Sequence, residues 1–195
     1  MRAIVETSSG VRELMLALPL ALALGAGALA CADTATDDAP ANEAAAQAAL
    51  LPLKQGLKAA LEKALAEGPM TAVDACQIEA PRITQASAAP GLQVGRTSDR
   101  LRNPANAPAA WLEPLLAEYA NAGPGATAGR LVDLGSQGIG YVEPITVQPL
   151  CLTCHGSQVA PELLAHIRKR YPDDRAIGYE PGDFRGLFWV RMKKR

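Results

Sequence analysis

Leucine recurs at intervals of three and four through the first part of the folded region. Leu50, Leu53, Leu57, Leu61 and Leu65 share one side of a helix, while Lys54, Lys58, Glu62 and Lys63 fall elsewhere. The pattern predicts a helix from Asn42 to the Gly68-Pro69 stop. A second helix follows from Met70 or Thr71, with Val73, Cys76, Ala80 and Ile83 on one stripe and a kink expected at Pro81. The period then changes. Residues 92–97 read as a strand and 102–108 as an ordered loop. Residues 108–121 read as a helix carrying Trp111, Leu112, Leu115, Leu116 and Tyr119. Residues 131–134 and 139–147 read as a hairpin around Gly135-Ser136-Gln137-Gly138. A short helix over 161–170 and a closing strand over 186–192 complete the chain, and no internal repeat is visible.

The N-terminal segment has a different character. Residues 14–30 carry no charge, Arg12 precedes them, and small residues lead into Cys31. This is the form of a signal peptide over 1–31. Two cleavage readings stay open. Ala28-Leu29-Ala30 fits an A-x-A site, whereas Ala28-Leu29-Ala30-Cys31 is an imperfect lipobox that would make Cys31 the lipidated mature N-terminus. An uncleaved anchor helix is the third reading. All three place the domain outside the cytoplasm, in the periplasm, with 32–41 as a tether and 42–195 as one domain.

Composition narrows the class. The 195 residues carry 19 basic and 20 acidic side chains, so nothing draws the chain to nucleic acid. Hydrophobic residues make up 49% of the chain but aromatics only 4%, which leaves room for a bulky apolar cofactor within the core. Neither wholesale disorder nor a polytopic membrane protein fits.

The cysteines carry the strongest chemical signal. Cys151-Leu152-Thr153-Cys154-His155 is the C-x-x-C-H attachment motif of c-type haem. Two thiols at this spacing reach the two vinyl groups on one porphyrin edge, and the adjoining imidazole turns onto the iron. A thioredoxin-like motif would open a long helix, which Gly156-Ser157 does not suggest. A zinc site would need a second pair of ligands, and none is spaced for it. Cys76 is then a lone thiol in an exported chain. It reads either as a buried core residue or as the sixth iron ligand, with His166, Met70 and Met192 as rivals for that role.

The chain resembles small exported monohaem c-type proteins with a PAS-like fold, a domain that also occurs as the extracytoplasmic sensor region of membrane signalling proteins. The resemblance runs from about Leu50 to Met192 and rests on Ala75-Cys76, Gly95-Arg96-Thr97-Ser98, Arg102-Asn103-Pro104-Ala105-Asn106 and Pro144-Ile145. It also rests on the C-x-x-C-H motif with Gly156, Tyr171-Pro172, Ala176-Ile177-Gly178-Tyr179 and Gly182-Asp183-Phe184-Arg185-Gly186. It implies an α+β fold: a PAS-like antiparallel sheet with flanking helices, two N-terminal helices and one covalently bound haem. It also implies His155 as the proximal ligand and Cys76 as the distal one. An all-α cytochrome fold is the rival, opposed by the β-like runs 139–147 and 186–192.

Two functions follow. The first is a redox or small-ligand (gas) sensor whose distal thiolate leaves on reduction; the second is a periplasmic electron-transfer cytochrome. A peroxidase would need a distal acid–base histidine, and only His166 could serve, so no enzyme is expected. Arg96, Arg100 and Arg102 are candidate partners for the haem propionates. No kinase or chemoreceptor segment follows Met192, so sensing would require a separate redox or signalling partner protein.

Overall fold

The computed structural model describes residues 38–123 and 126–194. The expected signal peptide, Cys31 and most of the tether lie outside them. Helix α1 (Ala39–Glu67) begins three residues earlier than Asn42. Gly68, at φ 125°, ends it and donates its N–H to the Leu65 carbonyl at 3.1 Å. Helix α2 (Pro69–Ala86) starts at once, with proline in the first turn where its missing N–H costs nothing, and continues through Pro81.

Strand β1 (Leu92–Thr97) matches its expected bounds. The expected 108–121 helix is shorter: a 3-10 turn at Ala110–Leu112 leads into α3 (Glu113–Asn121). The hairpin is β2 (Arg130–Asp133) and β3 (Ile139–Thr146), joined through a 3-10 turn at Gly135–Gln137. Helix α4 (Leu152–His155) is a single turn, α5 spans Pro161–Arg170, and β4 runs from Phe184 to Met192, two residues longer than expected at its start.

The architecture is α+β, with a four-stranded antiparallel sheet in the order β1-β4-β3-β2. This is consistent with the PAS-like expectation and excludes the all-α rival. Period-two alternation sends opposite residues to opposite faces. Val94, Tyr141, Phe188 and Val190 meet Leu50, Leu53 and Leu57 of α1 on one face. Val142, Leu187 and Trp189 meet Leu112, Leu115, Leu116 and Tyr119 on the other. Lys54 of α1 pairs with Glu143 of β3, and Gln47 donates to the Tyr141 hydroxyl at 3.2 Å.

One irregularity matters for the site. Ile145 of β3 faces Gly186, but the next residue, Thr146, faces Phe184. Arg185 is therefore an extra residue in β4, a β-bulge. The bulge reverses the alternation: Phe184 packs beside Tyr119 on the α3 face, whereas Phe188 lies on the α1 face.

Candidate functional site

The leucine stripe of α1 has two fates. Leu50 and Leu53 are fully buried against the sheet. Leu61 and Leu65, about two and three turns further on, line an open cavity of about 270 Å³. That volume lies near the lower end of small-molecule sites, roughly 300 Å³ and upward. Helix α2 adds Ala72, Val73 and Cys76; the sheet adds Arg96, Ile145, Arg185 and Phe188; the C-x-x-C-H segment adds Leu150, Cys151, Cys154 and His155. Cys76 thus shares one cavity with a motif 75 or more positions away in the chain.

His155 is held for a particular task. Its Nδ1 donates to the Ala176 carbonyl at 2.6 Å. Nε2 is left as the available ligating atom. Burial, reinforced by Arg102 and Arg185, lowers its pKa well below the ordinary histidine range. The ring is therefore neutral, the form a metal ion takes.

Arg102 fixes the acceptor. Its Nε donates to Asp174 Oδ1 at 3.1 Å, and its Nη2 donates to Asp174 Oδ2 at 3.2 Å, the Cys154 carbonyl at 2.5 Å and the Ala176 carbonyl at 3.3 Å. Asp174 in turn accepts the Ala176 N–H at 3.0 Å. Both side chains are buried, Asp174 to 2% exposure and Arg102 to 12%. The pair clamps the motif turn to the loop that orients His155. The Tyr179 N–H donates to the His155 carbonyl and the Gly178 N–H to the Gly156 carbonyl, each at 3.0 Å, extending the same seam.

The thiols are free; none of the three described cysteines forms a disulfide. Burial raises Cys76, opposed by Arg96 and Arg102, and burial likewise raises Cys154. Among the described residues, no three His, Cys, Asp or Glu side chains converge tightly enough for a bare metal ion. These donors surround a space rather than a point. That suits a planar group anchored at one edge by Cys151 and Cys154 and able to accept His155 Nε2 and Cys76 Sγ.

A sequence model of the Tll0287-like family matches residues 6–193. The chain belongs to the Tll0287-like family. Among solved structures it is similar to the cyanobacterial heme-protein Tll0287, with 27% identity, a TM-score of 0.58, and coverage of 80% of this chain and 97% of that one. No curated protein matches.

Within this Tll0287-like fold the sequence-expected residues separate. Cys76, Cys151, Cys154, His155, Arg96 and Arg102 line one cavity; Arg100 does not. The Arg100 guanidinium instead lies 4.0 Å over the Tyr179 ring, and its Nε donates to the Arg175 carbonyl at 3.3 Å. Arg102 lines the cavity, but its guanidinium is occupied by Asp174. The rivals to Cys76 sit elsewhere. His166 contacts Asp74 at 2.8 Å, Met70 is 40% exposed and Met192 packs against the sheet core. Sequence reasoning missed Arg185, Tyr171 and Phe188 as lining residues. For Arg185 the available signal was its place between Phe184 and Gly186, but the bulge that aims it is invisible in an alternating pattern. Tyr179 was also missed; it packs edge-on to His155 at 6.3 Å, and its buried hydroxyl has no hydrogen-bond partner among the described residues.

Proposed function

We propose that this chain is an extracytoplasmic monohaem c-type cytochrome with a PAS-like domain, acting as a redox or small-ligand sensor. Cys151 and Cys154 would hold the haem through thioethers, and His155 and Cys76 would be the side chains that ligate its iron. The observation that carries this reading is the convergence of Cys76 with the C-x-x-C-H motif around one cavity. Kinship with a heme-protein supports it. When bound, haem supplies one-electron iron chemistry.

The chain's own residues set that chemistry. The Ala176 carbonyl holds the imidazole in one orientation. A thiolate at Cys76 donates electron density, favours ferric iron and lowers the potential. Ferrous iron would hold that thiolate less tightly, so Cys76 would be the side chain able to release and admit a small molecule. His166 is tied to Asp74 at the contact between α2 and α5 and does not line the cavity. Export, and a membrane anchor through Cys31 if it is lipidated, rest on the N-terminal pattern alone.

Absorption spectra of ferric and ferrous protein, with and without carbon monoxide, test the reading. A ferrous form that takes carbon monoxide is expected. Cys76→Ala should shift the ferric spectrum and raise the potential. Cys151→Ala or Cys154→Ala should abolish normal attachment, read by haem retention after acid–organic extraction. If Cys76→Ala leaves spectrum and potential unchanged, Cys76 is core packing. The second reading, an electron carrier, then gains; the exposed Leu150 at the cavity mouth, beside Cys151, favours it.

A further inference from the structure

Arg96 and Arg185 are cations in the wall of the cavity without an anion. Among the described residues neither forms an ion pair, whereas their neighbour Arg102 has Asp174. The Arg96 side chain makes no hydrogen bond there. The Arg185 guanidinium has a 3.3 Å bond to the Arg100 carbonyl and lies 5.4 Å over the Tyr179 ring. A buried charge is costly unless it is paired. Burial lowers the pKa of both arginines, and Arg96 and Arg102 push Arg185 down further.

The backbone is built to keep them there. Arg185 is the extra residue of the β4 bulge, and bulges re-aim a side chain. Gly186 follows at φ 147°, and a Cβ there would lie 2.1 Å from the Thr97 carbonyl oxygen. Only glycine lets β4 come this close to β1 beside Arg96. Ser98 Oγ donates to the Arg185 carbonyl at 2.8 Å and locks the bulge.

We propose that Arg96 and Arg185 form a two-guanidinium clamp for the carboxylates of the bound group, the haem propionates, with the β4 bulge as the device that completes it. This rests on the haem reading above. Guanidinium forks match carboxylates in geometry. The anion belongs to the attached group because the arginines share the cavity of Cys151 and Cys154. The thioether-forming vinyls and the two propionates stand on opposite sides of the macrocycle, so a clamp for the propionates is separate from the motif that anchors it.

The test uses the haem-loaded full chain with Arg96→Gln, Arg185→Gln and the charge-preserving Arg96→Lys and Arg185→Lys. With haem attached in wild-type amount, each Gln variant should lower the potential, and that potential should fall further as pH rises from 5 to 8. A propionate deprived of its guanidinium is protonated at the acid end of that range. The Lys variants should stay close to wild type. On unaltered protein with ¹³C-labelled propionates, the infrared spectrum should show carboxylate and no carboxylic acid at pH 5. Potentials that match wild type at every pH in all four variants overturn the clamp. So does a labelled carboxylic acid band at pH 5 in the unaltered protein, which needs no variant to fold. A wild-type potential that responds to added inorganic phosphate places a free anion between the arginines and also overturns it. Absence of haem from the wild-type protein is a different result and refutes the haem reading itself.

Discussion

The two ends of the α1 leucine stripe are alike in sequence and opposite in use. At one end Leu50 and Leu53 are sealed against Val94, Tyr141 and Val190. At the other, Leu61 and Leu65 border the cavity with Cys76 and His155. The periodicity that packs a core also walls a site. What separates them is the opposite wall: apolar strand residues close the first end, whereas arginines, thiols and an imidazole stand around the second. The second end is kept in shape by hydrogen bonds rather than by filling, chiefly those of Arg102 and Asp174.

That contrast can be broken in order of effect. Asp174→Asn leaves Arg102 buried with no charged partner and loosens the acceptor of His155. Breaking a buried pair costs about 3–5 kcal/mol, so a loss in that range in denaturant unfolding is expected. A loss under about 1 kcal/mol would mean that the clamp does not hold the cavity end. Next is Leu53→Ala, which cuts into the filled end and should cost about 2–5 kcal/mol in the same measurement. Leu65→Ala should cost no more than about 1 kcal/mol, because its side chain already borders open space. Equal losses for the two leucines would erase the distinction between core and cavity.

The smallest effect is at the contact of α2 with α5. Asp74 accepts from Arg170 Nε at 2.6 Å and from His166 Nε2 at 2.8 Å. The Arg170 hydrogen bond, more than the His166 one, lowers its pKa below the ordinary aspartate range. A carboxylate with a lowered folded-state pKa contributes stability above its unfolded value, near pH 4, and loses it as pH falls through the folded value. Protection of the α5 amides, taken relative to their intrinsic exchange rates, should therefore fall below about pH 4, and Asp74→Asn should remove most of that dependence. Asp74 is partly exposed, so the effect on overall stability should stay below about 1 kcal/mol. An α5 whose protection is flat across this range would show that Leu163, Ile167 and Tyr171, packed on Val73, hold it alone.

The elements themselves were legible from the sequence because their signals are local. The α1 stripe, β1, the 131–147 hairpin and α5 needed only periodicity and turn residues. The C-x-x-C-H motif was legible for the same reason: two thiols and an imidazole within five residues carry their chemistry without the fold. The boundaries that moved did so where tertiary contacts outweigh propensity. The 108–121 helix begins as a 3-10 turn that sets Trp111 edge-on against Trp189 at 6.3 Å. Cys76 was ambiguous because a helical stripe shows that a side chain points inward but not what it meets.

By itself, then, the sequence determined the α+β class, the inward stripe bearing Cys76 and the C-x-x-C-H motif. Only the tertiary structure decided which arginine does what. Arg96, Arg100, Arg102 and Arg185 are chemically the same, and their spacing does not distinguish them. Arg102 meets Asp174, 72 residues away, and becomes a structural clamp. Arg100 lies on Tyr179 and leaves the cavity wall. Arg185 faces the cavity because one extra residue in β4 reverses the alternation that a linear pattern assumes. Charge placement depends on the partners that folding brings within a few ångströms, and periodicity carries no record of those partners.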